Sequence, residues 1–146
     1  MRINISEAKV DYLVKDAPRI KTPEDAVNQS ECIKNSDTEA FVVLTLDSKN
    51  KLRSADIVTM GLLDASLVHP REVFRLAVIK NASGVVLMHN HPSGDPTPSA
   101  DDIRITKQMV EAGRILDIKV LDHIIIGSGD SDSKFISLRE EGIVKF

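Results

Sequence analysis

Residues 85–102 read VVLMHNHPSGDPTPSADD. Val85 to Met88 make an apolar run of the kind that forms a buried strand, and the run ends on His89. Pro92, Pro96, Pro98 and Gly94 make the next segment a stiff loop. A helix then opens at Ser99 and runs to about Leu116, carrying Ile103, Met109, Val110 and Ile115 on its apolar side. Alternate residues at a strand end share a face, so His89 and His91 can aim both imidazoles at one point. Asp102 falls in the first helical turn, where the helix dipole favours the ionised carboxylate that a metal needs. Two imidazoles and a carboxylate with one position open to water have the form of a catalytic zinc site. The chain has four histidines in all, and two of them stand here.

Other readings fit the same residues. Ser99-x-x-Asp102 also resembles a helix capping box with Asp in the place of Glu, which needs no metal. Non-haem iron oxygenases use two His and one carboxylate as well. Zinc deaminases need paired cysteines, and this chain has a single Cys. His89-Asn90-His91 is not the signature of an HNH nuclease, whose name describes dispersed residues.

Outward from this stretch, helices alternate with strands. Thr22-Pro23-Glu24-Asp25 starts a helix, with Thr as N-cap, Pro at the first helical position and acids in the first turn. That helix is expected to reach about Ile33 and to end near Asn35. Phe41–Asp47 and Leu52–Thr59 form an antiparallel hairpin across Ser48-Lys49-Asn50. Pro70 opens a helix with Val73, Phe74, Ala77 and Val78 as its apolar face. Lys119–Ile126 is a further buried strand, Phe135–Ser137 a short last one, and Leu138–Glu141 a closing turn. Residues 1–21 read as an N-terminal extension with a possible strand at Val10, Tyr12 and Val14, and 22–146 as one domain. The expected fold class is α/β: a single three-layer, mixed-sheet domain with flanking helices.

Composition narrows the partners. A chain of 146 residues can bury a real core. With four Phe, one Tyr and no Trp, it lacks rings for a base-stacking platform. A net charge of -3 is not the basic excess of a phosphate-backbone binder. Local basic clusters remain at Lys49, Lys51 and Arg53 and at Arg104, Lys107 and Arg114, where a solvated face is the ordinary reading. The lone Cys32 excludes an internal disulfide and a thiolate metal cage, and it reads as a buried or half-buried packing residue. Without an apolar run of membrane length or a signal-peptide core, the expected location is cytoplasmic, with no membrane partner.

His-x-His, seven residues, Ser, two residues and Asp match the JAMM motif of the MPN (JAB) metalloproteases without a gap. The wider pattern resembles the RadC family: HPREVF at 69–74, HNHPSGDPTPS at 89–99 and LDHIIIG at 121–127. The resemblance covers roughly residues 22–142. It implies a cytidine-deaminase-like, MPN-type architecture and a hydrolase that cleaves a peptide or isopeptide bond with Zn2+. His89, His91 and Asp102 would then bind zinc. Glu39, just before FVVLTLD, would be the general base that moves a proton from the bound water to the leaving amine. Ser99 would help hold the oxyanion. Asp122 and His123 read as satisfied structural residues or as support behind the ligands, and His69 as part of a turn or cap.

Longer RadC proteins carry an N-terminal region of helix-hairpin-helix character associated with DNA contact. Only a short leader and one helix precede the JAMM-like part here, so the family's DNA-repair label is not expected to carry over. A DNA-associated binder or metal-dependent nuclease is the alternative reading, and a scaffold that has lost catalysis is opposed by the full set of motif residues. Substrate choice is expected to reside in loops 61–69 and 127–134.

Overall fold

The computed structural model describes residues 17–31, 33–61, 68–127 and 134–146. The possible strand at Val10–Val14, Cys32, and most of the two candidate substrate loops lie outside the described residues. Strands β1 (Glu39–Leu46) and β2 (Leu52–Gly61) form the expected hairpin. Its turn is built on Asp47, whose Oδ1 accepts from the backbone N–H groups of Lys49 and Lys51 at 2.8 and 2.9 Å. Asn50 takes a left-handed conformation there, with φ 60°, which Asn tolerates better than most residues.

Strand β3 (Gly84–Asn90) pairs antiparallel with β1, and β4 (Lys119–Ile126) pairs parallel with β3. The short β5 (Phe135–Ser137) returns antiparallel to β4, giving the order β2-β1-β3-β4-β5. The parallel pair requires a crossover, and helix α3 (Ala100–Leu116) supplies it. The sheet is therefore mixed.

Both faces of the central strands are covered, so β1 and β3 read as nearly continuous apolar runs. On one face Phe41, Val43, Val85 and Leu87 pack against Val73, Phe74 and Ala77 of α2 (Pro70–Ile79) and Ile105, Met109 and Val110 of α3. On the other, Ala40, Val42, Leu44, Leu46, Val86 and Met88 meet Ile20, Ile33 and the short α1 (Pro23–Val27). Helix, sheet and helix make the three layers. Each fully buried Leu or Ile contributes about 1.5–3 kcal/mol relative to an exposed one.

The first helix is shorter than its sequence suggests. Thr22 and Asp25 form the capping box that starts it, but α1 stops at Val27. Gln29 and Ser30 donate to Ala26 and Val27, three residues back, and the Ser30 hydroxyl also donates to the Val27 carbonyl. A side chain that captures a backbone acceptor in this way ends regular α-helix. Turns carry the chain onward to the buried Ile33.

Two apolar positions also point outward. Val78 is 60% exposed and Ile115 is 86% exposed, because each lies off the stripe its helix buries. In α3 that stripe is Asp102, Ile105, Thr106, Met109, Val110 and Gly113. Two polar residues therefore stand on the buried face of the helix.

Candidate metal centre

His89 lies inside β3, one residue before its end, and is 4% exposed. His91 follows it out of the strand but stays registered on the sheet, its N–H donating to the Ile126 carbonyl at 2.8 Å. Asp102 reaches the same place from the first turn of α3. Its Oδ1 is 3.3 Å from His89 Nε2 and its Oδ2 is 3.3 Å from His91 Nε2. The two Nε2 atoms are 2.9 Å apart. Strand end and helix start thus bring the three side chains together, with donor atoms within 4.8 Å of one another. Three electron-rich atoms this close are favourable only around a cation, whether a proton or a metal ion.

The capping reading of Asp102 is borne out, and the same residue keeps an oxygen toward the histidines. Ser99 Oγ accepts from the Asp102 N–H at 3.0 Å, and Asp102 Oδ2 accepts from the Ser99 N–H at 2.8 Å. This reciprocal box locks the carboxylate over the helix start and leaves Oδ1 directed at His89.

Charge follows from these contacts. Burial opposes ionisation of Asp102, but the facing His89 and His91 rings and the Ser99 N–H outweigh it and hold the carboxyl well below the ordinary range. Asp102 in turn raises the His91 pKa; burial opposes this, and the Asp95 carbonyl and the charge of Glu39 add to the rise. His123 lies behind His89 and is wholly buried. Burial, then the neighbouring His89, pushes its pKa well below that of a free imidazole.

A chain of hydrogen bonds stands behind the cluster. His89 Nδ1 is 2.9 Å from His123 Nε2, and His123 Nδ1 is 2.5 Å from Thr106 Oγ1. Thr106 donates to the Asp102 carbonyl at 2.6 Å. Phe41 stacks over His89 with ring centroids 6.0 Å apart and meets the edge of His123 at 5.6 Å. His91 Nδ1 is held 2.8 Å from the Asp95 carbonyl.

Glu39 is the first residue of β1, half-buried, and shares the face of Phe41. Phe41 is registered opposite His89; continued by two residues, that register brings Glu39 level with His91. Asn90 fixes this corner. Its Oδ1 accepts from the Ala40 N–H at 2.7 Å and its Nδ2 donates to the Thr38 carbonyl at 3.0 Å, clasping the backbone on both sides of Glu39.

Thr106, Asn90 and Gly127 carry the site without having been singled out in the sequence. Thr106 follows Asp102 by four residues, a spacing that puts both on one helix face. A Cβ on Gly127 would collide with the Gly94 carbonyl, so only glycine lets the proline-rich loop seat against the end of β4. His69 stands at the N-cap of α2 without a side-chain capping bond. Three of the six residues in the basic clusters are engaged locally. Arg104 pairs with Asp101 at 3.4 Å, Arg114 pairs with Glu111, and Arg53 donates to the Lys80 carbonyl.

The profile of the RadC-like JAB domain matches residues 20–143, most of the chain and every residue of the cluster. The chain belongs to the RadC-like JAB-domain family. A UPF0758 protein of Caldanaerobacter subterraneus is 48% identical over 128 residues, covering 87% of this chain and 53% of the relative. One from Methanosarcina barkeri is 50% identical over 107 residues, or 73% of this chain and 45% of the relative. One from Desulfitobacterium hafniense is 44% identical over 135 residues, or 92% and 57%. The chain therefore spans about half the length of the curated relatives it matches. In this RadC-like domain, His89, His91 and Asp102 could hold a metal ion. Among the described residues no helix is long and apolar enough to cross a membrane.

Proposed function

We propose that this RadC-like domain is a JAMM-type hydrolase that holds zinc on His89, His91 and Asp102 and cleaves an amide or isopeptide bond. One observation carries the reading: two imidazole nitrogens and a carboxylate, delivered by different elements, converge on a single point. The donor set suits zinc, with nitrogen and oxygen ligands and a fourth position left to solvent or substrate. A zinc ion bound there supplies Lewis acidity, lowering the pKa of a water in that position to roughly 7 and polarising a carbonyl.

The remaining steps belong to the chain's own residues. Glu39, level with His91 at the start of β1, takes the proton of the attacking water and returns it to the leaving nitrogen. Ser99 Oγ is an acceptor in the capping box, so its own proton is left to donate to the oxyanion of the tetrahedral intermediate. Asn90 keeps Glu39 in place through the backbone on either side of it. The activity and substrates of the longer proteins that carry such domains are part of the same proposal.

The reading is tested first by metal analysis after chelation and dialysis against zinc. Wild-type protein should retain one zinc per chain and the His89→Ala/His91→Ala double variant none; equal retention would sink the reading. Quenched peptides and a lysine ε-linked isopeptide then report hydrolysis. Glu39→Gln should keep its zinc and lose at least about 100-fold in turnover. Undiminished turnover in that variant would remove Glu39 from the mechanism, and steep salt-dependent binding to DNA without hydrolysis would favour the nucleic-acid reading instead.

A further inference from the structure

We infer that Thr106 and His123 act as a tautomer lock on the metal centre: their hydrogen-bond chain places the His89 proton on Nδ1 and so keeps Nε2 bare for a metal. The inference rests on the zinc reading above and assigns positioning roles to two residues that are not ligands.

The protons along one chain of contacts can be counted. Thr106 Oγ1 has a single proton, and the Asp102 carbonyl 2.6 Å away accepts it, since a carbonyl has nothing to donate. Toward His123 Nδ1, at 2.5 Å, Thr106 is then an acceptor, so the proton of that contact belongs to His123. The His123 ring is wholly buried, beside Phe41 and His89, surroundings that favour neutral imidazole. A neutral ring protonated at Nδ1 has a bare Nε2. That Nε2 lies 2.9 Å from His89 Nδ1 and must accept from it. His89 consequently carries its proton on Nδ1 and turns the lone pair of Nε2 toward Asp102 and His91.

The chain closes on itself. It starts at the backbone carbonyl of Asp102, passes through Thr106, His123 and His89, and returns to the Asp102 carboxylate. Helix α3 therefore supplies both a ligand and the origin of the polarity that prepares a second ligand. His91 has its own simpler lock, because the Asp95 carbonyl beside its Nδ1 can only accept. Outer partners of this kind commonly set metal affinity.

Removing the Thr106 acceptor should reverse the chain. In Thr106→Val, His123 loses its partner at Nδ1 and can hold its proton on Nε2, where it donates to His89 Nδ1. His89 must then protonate Nε2, the atom the metal requires. Thr106→Ser keeps the hydroxyl and the original polarity.

Zinc affinity is measured by chelator competition on the full chain, beside thermal unfolding of the zinc-free proteins. Thr106→Val should lose about 10- to 100-fold in affinity while Thr106→Ser binds as wild type. A merely structural hydroxyl would lower the unfolding temperature of Thr106→Val and leave affinity unmoved, overturning the inference. Should Thr106→Val fail to fold, long-range 1H–15N spectra of zinc-loaded wild type decide. His123 protonated on Nδ1 with a bare Nε2 supports the lock, and the opposite tautomer overturns it. Wild-type protein that binds no zinc would overturn the metal reading as well. Wild-type binding with an indifferent Thr106→Val overturns the lock alone.

Discussion

Asp122 and His123 are neighbours in sequence and go to opposite faces of the sheet. On the α1 face, Asp122 accepts from the backbone N–H groups of His123 and Arg139 at 2.7 and 3.1 Å and from the Ser137 hydroxyl at 2.5 Å. Asn90, beside the ligands, is likewise closed by the backbone of Thr38 and Ala40. On the α2–α3 face, His89, His91 and Asp102 bring ring nitrogens and carboxylate oxygens within 4.8 Å of one another, with His123 and Thr106 behind them. Both regions bury polar atoms, and both satisfy them. The difference lies in the partner: fixed backbone and hydroxyl groups saturate Asp122 and Asn90, whereas the convergent atoms of His89, His91 and Asp102 could hold a cation. Burial and polarity alone do not separate a structural carboxylate from one that could hold a metal; the groups its oxygens face do.

The sharpest way to break this comparison is to remove one carboxylate from each region. Asp102→Ala should abolish stoichiometric zinc retention in dialysis, and should also cost about 1 kcal/mol by opening the α3 cap. Asp122→Ala should keep its zinc and lose about 1–3 kcal/mol in urea unfolding, the cost of stranding buried donors. Loss of zinc from a folded Asp122→Ala would show that the two regions are not separable.

Gly127→Ala should have a mixed effect. The new methyl must displace the Gly94 carbonyl and the loop that holds His91, costing about 1–3 kcal/mol by denaturant unfolding. Zinc affinity should weaken with it, and a variant unchanged in both measurements would mean that the loop is not seated as described. Asn90→Leu strands the Ala40 N–H and the Thr38 carbonyl, for about 1–3 kcal/mol of stability. Its zinc affinity should stay near wild type while turnover falls through Glu39, a split that chelator competition and a peptide assay read separately.

The smallest expected effect is a pH dependence at Asp122. Burial raises its pKa above the ordinary carboxylate value, against the pull of Ser137, Arg139 and His123. A folded pKa above the unfolded one means that ionisation weakens the fold. The contribution is therefore fully present below the unfolded value and lost as pH rises through the folded one. Asp122→Asn cannot ionise, so the stability difference between wild type and variant should drift against wild type across that window, with zinc chelated. A flat difference would place the Asp122 carboxyl at its ordinary value.

Much of the fold was legible because short-range physics set it. The hairpin turn on Asp47–Asn50, proline at the starts of α1 and α2, and the Ser99–Asp102 box each act within a few residues. The strands β1, β3 and β4 announced themselves as apolar runs. The extent of α1 was not legible, because Ser30 ends it by bonding to a carbonyl that an uninterrupted helix would have used. Val78 and Ile115 were misplaced because an apolar residue one position off the buried stripe looks the same in sequence as one on it. Of the site, the ligand spacing was visible and the supporting chain was not.

What the sequence determined by itself was the inner geometry of the ligand loop: His89 and His91 on one face, stiff proline spacing, and Asp102 in a first helical turn. Those relations follow from backbone periodicity and capping, which are local. Only the tertiary structure decided that Asp122 and His123 part company, that Thr106 backs His123, and that Glu39 is brought level with His91. Each of these depends on strand register and on the rotation of α3 against the sheet, and those are settled by packing between residues far apart in the chain.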